Sequence, residues 1–168
     1  DALVTNCKAQ PRDERRSCKR QQSRDLQQGW LEELQASRPA GREAWQVQLW
    51  LGLFPVNRRQ LGRPGLLNAS VATIRKHLNG SYGQLLQAML LDPALQISLS
   101  GPANQRHNPN ENLARELLEL FSLGEGNYKE TDVKEAARAL TGYRLQADGK
   151  MDLMPRRHDP GPHTILGR

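Results

Sequence analysis

The hydrophobic positions of this chain fall into blocks of helical period separated by proline and glycine breaks. Leu26, Trp30, Leu31 and Leu34 recur at the spacing of one buried helix face and stop before Arg38-Pro39-Ala40-Gly41. Residues 1–20 are polar and charged with no periodic apolar face, so they read as an arm rather than core. A second block runs through Trp45, Leu49, Trp50 and Leu53 to Pro55, and a third through Val71, Ile74 and Leu78. Asn79-Gly80 is expected to end the third helix in the left-handed conformation. Ser81 and Gln84 then make a capping box for a fourth, which buries Leu85, Leu86, Met89 and Leu90 as far as Asp92-Pro93.

Residues 93–107 read as one short helical turn followed by a polar loop. The fifth helix is expected to begin at Asn108 as N-cap, with Pro109 at N1 and Glu111 closing the box; Leu113, Leu117, Leu120 and Phe121 form its apolar stripe. Gly124-Glu-Gly-Asn127 turns the chain into a sixth helix that buries Val133, Ala136, Ala137 and Leu140 and stops at Thr141-Gly142. The pattern predicts an all-α fold, a compact array of about six helices. A charged N-terminal arm (1–23) precedes the helical domain (24–145), and an extended tail rich in proline, glycine and charge (146–168) follows it.

Composition narrows the picture further. With 168 residues the prior is one domain, and 37% hydrophobic content with 5% aromatic calls for a Leu/Ala core, which suits helix packing. The net charge of +6 favours an anionic surface among partners, but the basic residues are spread along the chain, as on an ordinary solvated surface. Nucleic acid is the weakest partner class, since no recognition motif or aromatic-basic platform accompanies the charge. Cys7 and Cys18 are too few for a structural zinc site and read as a disulfide tethering the arm, the alternative being two free thiols. A disulfide implies an oxidising compartment. With a start at Asp1 and no apolar run of membrane-spanning length, a periplasmic or extracellular location after signal-peptide removal is the expectation.

Candidate chemistry concentrates on the fifth helix and the tail. Asn112, Arg115, Glu116 and Glu119 lie off the apolar stripe, and Glu111, Arg115 and Glu119 are successive i,i+4 neighbours, which a solvated ion-pair ladder explains. The functional alternative is a Glu116/Glu119 carboxylate pair able to hold a metal or divide acid and base roles. Asn110 and Asn112 would then position a substrate and Arg115 orient its carboxylate. His158-Asp159 can share a proton or a cation, although Pro160-Gly161-Pro162 also makes it an ordinary surface turn. The loop after Gly124 lacks the acidic ligands of a calcium-binding helix-loop-helix, and no nucleotide, phosphate or nucleophile motif is present, so no cofactor is expected.

The run Asn110-Glu-Asn-Leu-Ala-Arg-Glu-Leu-Leu-Glu-Leu-Phe-Ser-Leu-Gly124 resembles the bacterial family catalogued as domain of unknown function 1800. So do Gly126-Asn-Tyr128, Asp132-Val-Lys-Glu-Ala-Ala-Arg-Ala-Leu-Thr-Gly-Tyr143, His158-Asp-Pro-Gly161 and Leu166-Gly167. The resemblance covers about 40–168 and implies a secreted, largely helical bacterial protein. The family's Trp-His-Asn-His-Phe run is aligned with Trp50-Leu51-Gly52-Leu53-Phe54, so leucines replace both histidines, and Ser100 stands at an acidic position. Family members usually continue past the Leu-Gly pair, so a short form or a fragment is expected, with an apolar face for another protein chain to cover.

The leading expectation is therefore a non-catalytic secreted or periplasmic binding or structural component of a larger assembly. Two alternatives stand beside it. One is a hydrolase-like or metal-dependent enzyme using Glu116, Glu119 and His158-Asp159; the other is a module binding anionic polymers or nucleic acid.

Overall fold

The computed structural model describes residues 7, 10–35, 40–61 and 65–168. The protein is mostly helical, as its periodicity predicts. Helices α1 (Glu14–Gln35), α2 (Ala40–Leu53), α4 (Gly65–His77), α5 (Tyr82–Leu90), α7 (Asn112–Glu119) and α8 (Glu130–Ala139) correspond to the six expected. Short helices α3 (Arg58–Leu61) and α6 (Pro93–Ser98) add to them, and a hairpin of β1 (Tyr143–Leu145) and β2 (Met151–Leu153) follows α8.

The first helix starts at Glu14, within the segment read as an arm and ten residues before the expected boundary near 24. Its first half is mostly Glu, Arg, Lys and Gln, good helix formers that need no apolar stripe, so periodicity is silent there. The Cys7–Cys18 disulfide is present, with a Cα–Cα distance of 5.8 Å, and clips the chain ahead of α1 onto its second turn. Closing so short a loop stabilises by about 3 kcal/mol in the chain-entropy account. The side chains of Leu26, Trp30 and Leu34, and the Arg38-Pro39 turn, lie outside the described residues.

Helix α2 corrects the second expected stripe. Ala44 and Val47 are buried, Trp50 and Leu51 lie half-buried below them, and Phe54 is buried just past the helix end, whereas Trp45 and Leu49 are 59% and 73% exposed. The inward face follows a 44, 47, 51, 54 spacing, which puts Trp45 and Leu49 on the outer side. Val47 and Phe54 join Ile74 of α4, Leu85 and Met89 of α5, Leu95 and Leu99 of the α6 segment, and Leu113 and Phe121 of the α7 segment in the main core. Trp50 stacks on Tyr82 at 5.7 Å between centroids, and Phe54 meets Phe121 at 5.2 Å. A buried aromatic pair such as Phe54 and Phe121 adds roughly 0.5–1.5 kcal/mol beyond its area.

The Ser81/Gln84 capping box forms as expected, with both hydrogen bonds at 3.3 Å. The left-handed ending does not. Neither Asn79 nor Gly80 has positive φ; instead the Gly80 N–H donates to the His77 carbonyl at 3.0 Å and tightens the last turn. Asp92-Pro93, which ends one helix, also starts the next: Asp92 Oδ1 accepts from Ala94 N and Leu95 N, both at 3.0 Å, as N-cap of α6.

Helix α7 begins at Asn112, four residues after the expected N-cap Asn108. Asn108 precedes a proline and bridges to Gln105 as extended backbone, while the Asn110 N–H donates to buried Asn104 Oδ1 at 2.9 Å. Asn110 Oδ1 in turn accepts from Asn112 N at 3.1 Å, so an Asx turn takes the place of the predicted box. Leu118 is buried in the stripe where Leu120 was expected, and Leu120 is exposed.

Ala114 and Leu118 of α7 pack on Val133, Ala136 and Ala137 of α8, with Tyr128 and Ile165 against them. The small residues at this contact let the two helices approach closely. Beyond α8 the chain is not a free extended tail. Met154 N donates to the Gly142 carbonyl at 2.9 Å, Arg106 N to the Arg157 carbonyl at 2.8 Å, and residues 158–166 lie back along α8.

Candidate functional site

Helix α8 presents Asp132, Glu135 and Arg138 at intervals of three, continued by Thr141 just beyond its end, and the C-terminal segment runs antiparallel along this row. Thr141 Oγ1 accepts from Asp159 N at 2.8 Å and donates to the Arg138 carbonyl at 2.7 Å. Arg138 Nε donates to Asp159 Oδ2 at 2.8 Å, and its Nη1 contacts both Glu135 carboxylate oxygens at 2.8 and 2.9 Å. Glu135 Oε2 accepts from Thr164 N at 3.3 Å; Asp132 Oδ1 accepts from Leu166 N at 2.8 Å while its Oδ2 accepts from Lys129 N at 2.8 Å. The seam is thus built from the 3.6-residue period of one helix meeting the extended repeat of the tail.

The electrostatics of the seam follow from these contacts. The Arg138 guanidinium, aided by the Gly161 N–H, lowers the Asp159 pKa to about 2. Arg138 is itself pushed up, by Asp159 first and then Glu135. Glu135 is lowered by Arg138 and the Thr164 N–H, and Asp132 by the Lys129 and Leu166 amides. All of these acids stay charged because donors face them.

His158 and Asp159 are therefore brought to the same place, around Thr141. His158 Nδ1 lies 3.0 Å from the Thr141 carbonyl and 3.4 Å from its hydroxyl. A carbonyl can only accept, so the ring carries a proton on Nδ1. His163 Nε2 stands 3.3 Å from the Asp159 carbonyl, and its buried Nδ1 is 4.0 Å from Glu135 Oε2 with no hydrogen-bond partner among the described residues.

The fifth-helix candidates are placed elsewhere. Arg115 bridges Glu111 (3.1 Å) and Glu130 at the start of α8 (2.6 and 3.0 Å), which raises the guanidinium and lowers the Glu130 carboxyl. The expected i,i+4 ladder thus exists in its first rung, but its second partner is Glu130 rather than Glu119. Glu119 Oε2 accepts from the Tyr128 hydroxyl at 2.8 Å, which pushes that phenol up. Glu116 is half-buried, Asn112 is exposed, and neither side chain joins the network; Asn110 serves the Asx turn. Among the described residues, no three His, Cys, Asp or Glu side chains are grouped so as to hold a metal.

The site residues that sequence reasoning overlooked are Asn104, Asp132, Glu135, Arg138 and Thr141. The last four carry a visible signal, polar residues three apart on the face opposite Val133, Ala136 and Ala137. Asn104 carries none, because its partners, the Ala137 carbonyl at 2.8 Å and Asn110 N, reach it only in three dimensions.

The family described as "Protein of unknown function (DUF1800)" matches residues 1–168, the whole chain. The chain belongs to this family. The match extends over the first forty residues, beyond the reach of the motif resemblance. Comparison with curated proteins found no match, and comparison with solved structures found none. In this member of the DUF1800 family, Leu51 and Leu53 pack against the main core beside Trp50, and Ser100 adopts a left-handed conformation with φ 61° ahead of the Gly101–Ala103 turn.

Proposed function

We propose that this protein is a non-catalytic binding or structural component of a larger protein assembly outside the cytoplasm. The observation that carries the reading is the outer face of α2, where Trp45 and Leu49, one turn apart, are left to solvent while the neighbouring Ala44 and Val47 are fully buried. A tryptophan and a leucine at i,i+4 form an apolar strip of the kind that another protein chain covers, and Trp is among the side chains that anchor such contacts. Of the charged residues that could have served catalysis or binding, Arg115, Glu119 and Asp159 each hold two parts of the chain together. The disulfide supports an oxidising compartment, periplasmic or extracellular.

A photoreactive benzophenone side chain at position 49 of the full chain tests this in cells that make the protein. One discrete adduct with a second polypeptide, lost on Trp45→Ser, is expected. Adducts that never exceed the mass of the single chain would overturn the reading. So would stoichiometric metal in the purified protein that is lost on Glu116→Gln, Glu119→Gln or His158→Ala.

A further inference from the structure

The carboxylates of the seam along α8 all face donors, but the ring of His163 is satisfied at one nitrogen and not at the other. Its Nε2 stands 3.3 Å from the Asp159 carbonyl, which can only accept, so that nitrogen carries a proton. Nδ1 is buried, lies 4.0 Å from Glu135 Oε2 and has no hydrogen-bond partner among the described residues. The two side chains are 18% and 25% exposed, so solvent screens them only in part. In the neutral ring Nδ1 presents a lone pair to a carboxylate oxygen, and neither atom offers the other a proton. A proton on Nδ1 turns the same approach into an ion pair, and a closing movement of about 1 Å brings it into hydrogen-bond range.

The charges around the ring are fixed by their own partners. Arg138 grips both Glu135 oxygens and Asp159 Oδ2, and it lowers both acids, aided by the Thr164 amide at Glu135 and the Gly161 amide at Asp159. Asp132, one turn earlier on α8, is lowered by the Lys129 and Leu166 amides, and the Lys129 and Lys134 side chains act on Asp132 and Glu130. On the α7 side, where Ile165 packs, Arg115 is paired with Glu111 and Glu130, and Glu119 with the Tyr128 hydroxyl. On the segment itself His158 is bound to the Thr141 carbonyl, and Arg168 is exposed. The acids that face the ring therefore stay ionised at neutral and mildly acid pH, and histidine is the side chain suited to change charge between pH 5 and 8.

We propose that His163 is a proton-operated latch for the C-terminal segment: with a proton on Nδ1 the ring pairs with Glu135 and fastens residues 158–166 along α8, and loss of that proton loosens them. The segment is suited to local release. Beside the Arg138–Asp159 pair, it is held by Asp159 N on Thr141, Thr164 N on Glu135 and Leu166 N on Asp132, with Ile165 as a partly buried apolar contact. One added ion pair therefore shifts its opening measurably. The stabilisation is present in acid and is lost as the pH rises, and release uncovers the polar row of Asp132, Glu135 and Arg138 on α8.

Hydrogen exchange of the full chain tests the latch, read at the Thr164 and Leu166 amides between pH 5 and 8 and corrected for the intrinsic pH dependence of exchange. Protection at both amides should rise about threefold from pH 8 to pH 5, the size of effect a partly screened ion pair gives. His163→Gln keeps a donor for the Asp159 carbonyl but takes up no proton, so its profile should be flat. Glu135→Gln removes the charge partner and should flatten the profile as well, at lower protection because Arg138 loses a carboxylate; it carries the same comparison should the first variant not fold. Asp92 is common to all these proteins, so a difference in slope belongs to the latch. A purely structural His163 would lower protection equally at every pH and leave the slope in place, which would overturn the proposal. So would a flat profile in the parent, protection that falls toward acid, or a slope that survives Glu135→Gln. A slope lost in His158→Gln and kept in His163→Gln would assign the effect to the ring at Thr141 and refute the latch.

Discussion

Arg138 Nε lies 2.8 Å from Asp159 Oδ2, so the last turn of α8 is ion-paired to a residue of the returning C-terminal segment. The bond joins residues 21 apart in sequence, and with Thr141 it holds His158 and Asp159 in place. Its acid dependence follows from the direction of the shift. The Asp159 pKa falls from an ordinary 3.8 to about 2 on folding, so the stabilisation is present above pH 3.8 and is lost as the pH falls through about 2. Arg138→Met should reduce the steepness of acid unfolding between those values, and it should speed protease cleavage after Arg156 and Arg157 at neutral pH. Unchanged acid unfolding would contradict the role given to the pair.

Asn104 organises the start of α7 without contributing to its helix. It is 1% exposed, donates to the Ala137 carbonyl and accepts from Asn110 N. Asn104→Ala should therefore cost about 2–4 kcal/mol in urea unfolding, since it strands one donor and one acceptor of the backbone. A loss under 1 kcal/mol would mean that water replaces both bonds.

Asp92 separates a capping role from a burial penalty. Its Oδ1 accepts from Ser70 Oγ at 2.7 Å and caps α6, but Oδ2 is buried without a hydrogen-bond partner among the described residues. Burial pushes its carboxyl up against the pull of those bonds. The sign is therefore opposite to that of Asp159: the protonated form favours the fold below 3.8, and that contribution is lost as the pH rises through the raised value. At pH 7, Asp92→Asn should be at least as stable as the parent, with the advantage gone near pH 3, while Asp92→Ala should lose about 1–2 kcal/mol with the cap. Thermal melts of the three proteins at both pH values would check the order.

Gly142 has φ +94°, and a Cβ there would lie 2.9 Å from both the Cβ and the backbone nitrogen of His158. Backbone cannot retreat as a flexible side chain does. Gly142→Ala should cost about 2 kcal/mol or more, combining the left-handed conformation with the clash, and it should loosen the hairpin before it affects α4 and α5. Hydrogen exchange resolved by segment would show whether the losses fall in that order.

Removing the disulfide by the Cys7→Ser, Cys18→Ser double substitution should destabilise the N-terminal part of α1 by about 3 kcal/mol. Exchange protection should fall around residues 14–20 and persist in α7 and α8, because those helices have their own cluster of Ala114, Leu118, Val133 and Ala137.

Much of this organisation is legible in the residues themselves. The capping box at Ser81, the helix end at Thr141-Gly142, the burial of Val133, Ala136 and Ala137 and the pairing of Cys7 with Cys18 rest on short-range rules, and all are present. Hydrophobicity and spacing also place Trp45, Leu49 and Leu120 in the core, yet which of two neighbouring stripes turns inward depends on where the other helices lie. The start of α7 departs from the capping pattern because Asn104 takes the Asn110 amide.

The candidate site divides along the same line. His158-Asp159 and the acidic residues of α7 are recognisable as chemistry-bearing residue types, but Arg115 turns to Glu130, Glu119 to Tyr128, and Asp159 to Arg138. Helix identity, helix order and the capping box at Ser81 follow from local propensity and the 3.6-residue period, which act within a few positions along the chain. The inward face of α2, the seam along α8 and the main-chain bond joining Arg106 to Arg157 follow from tertiary structure, because each is made by groups that only folding brings within hydrogen-bonding or packing distance.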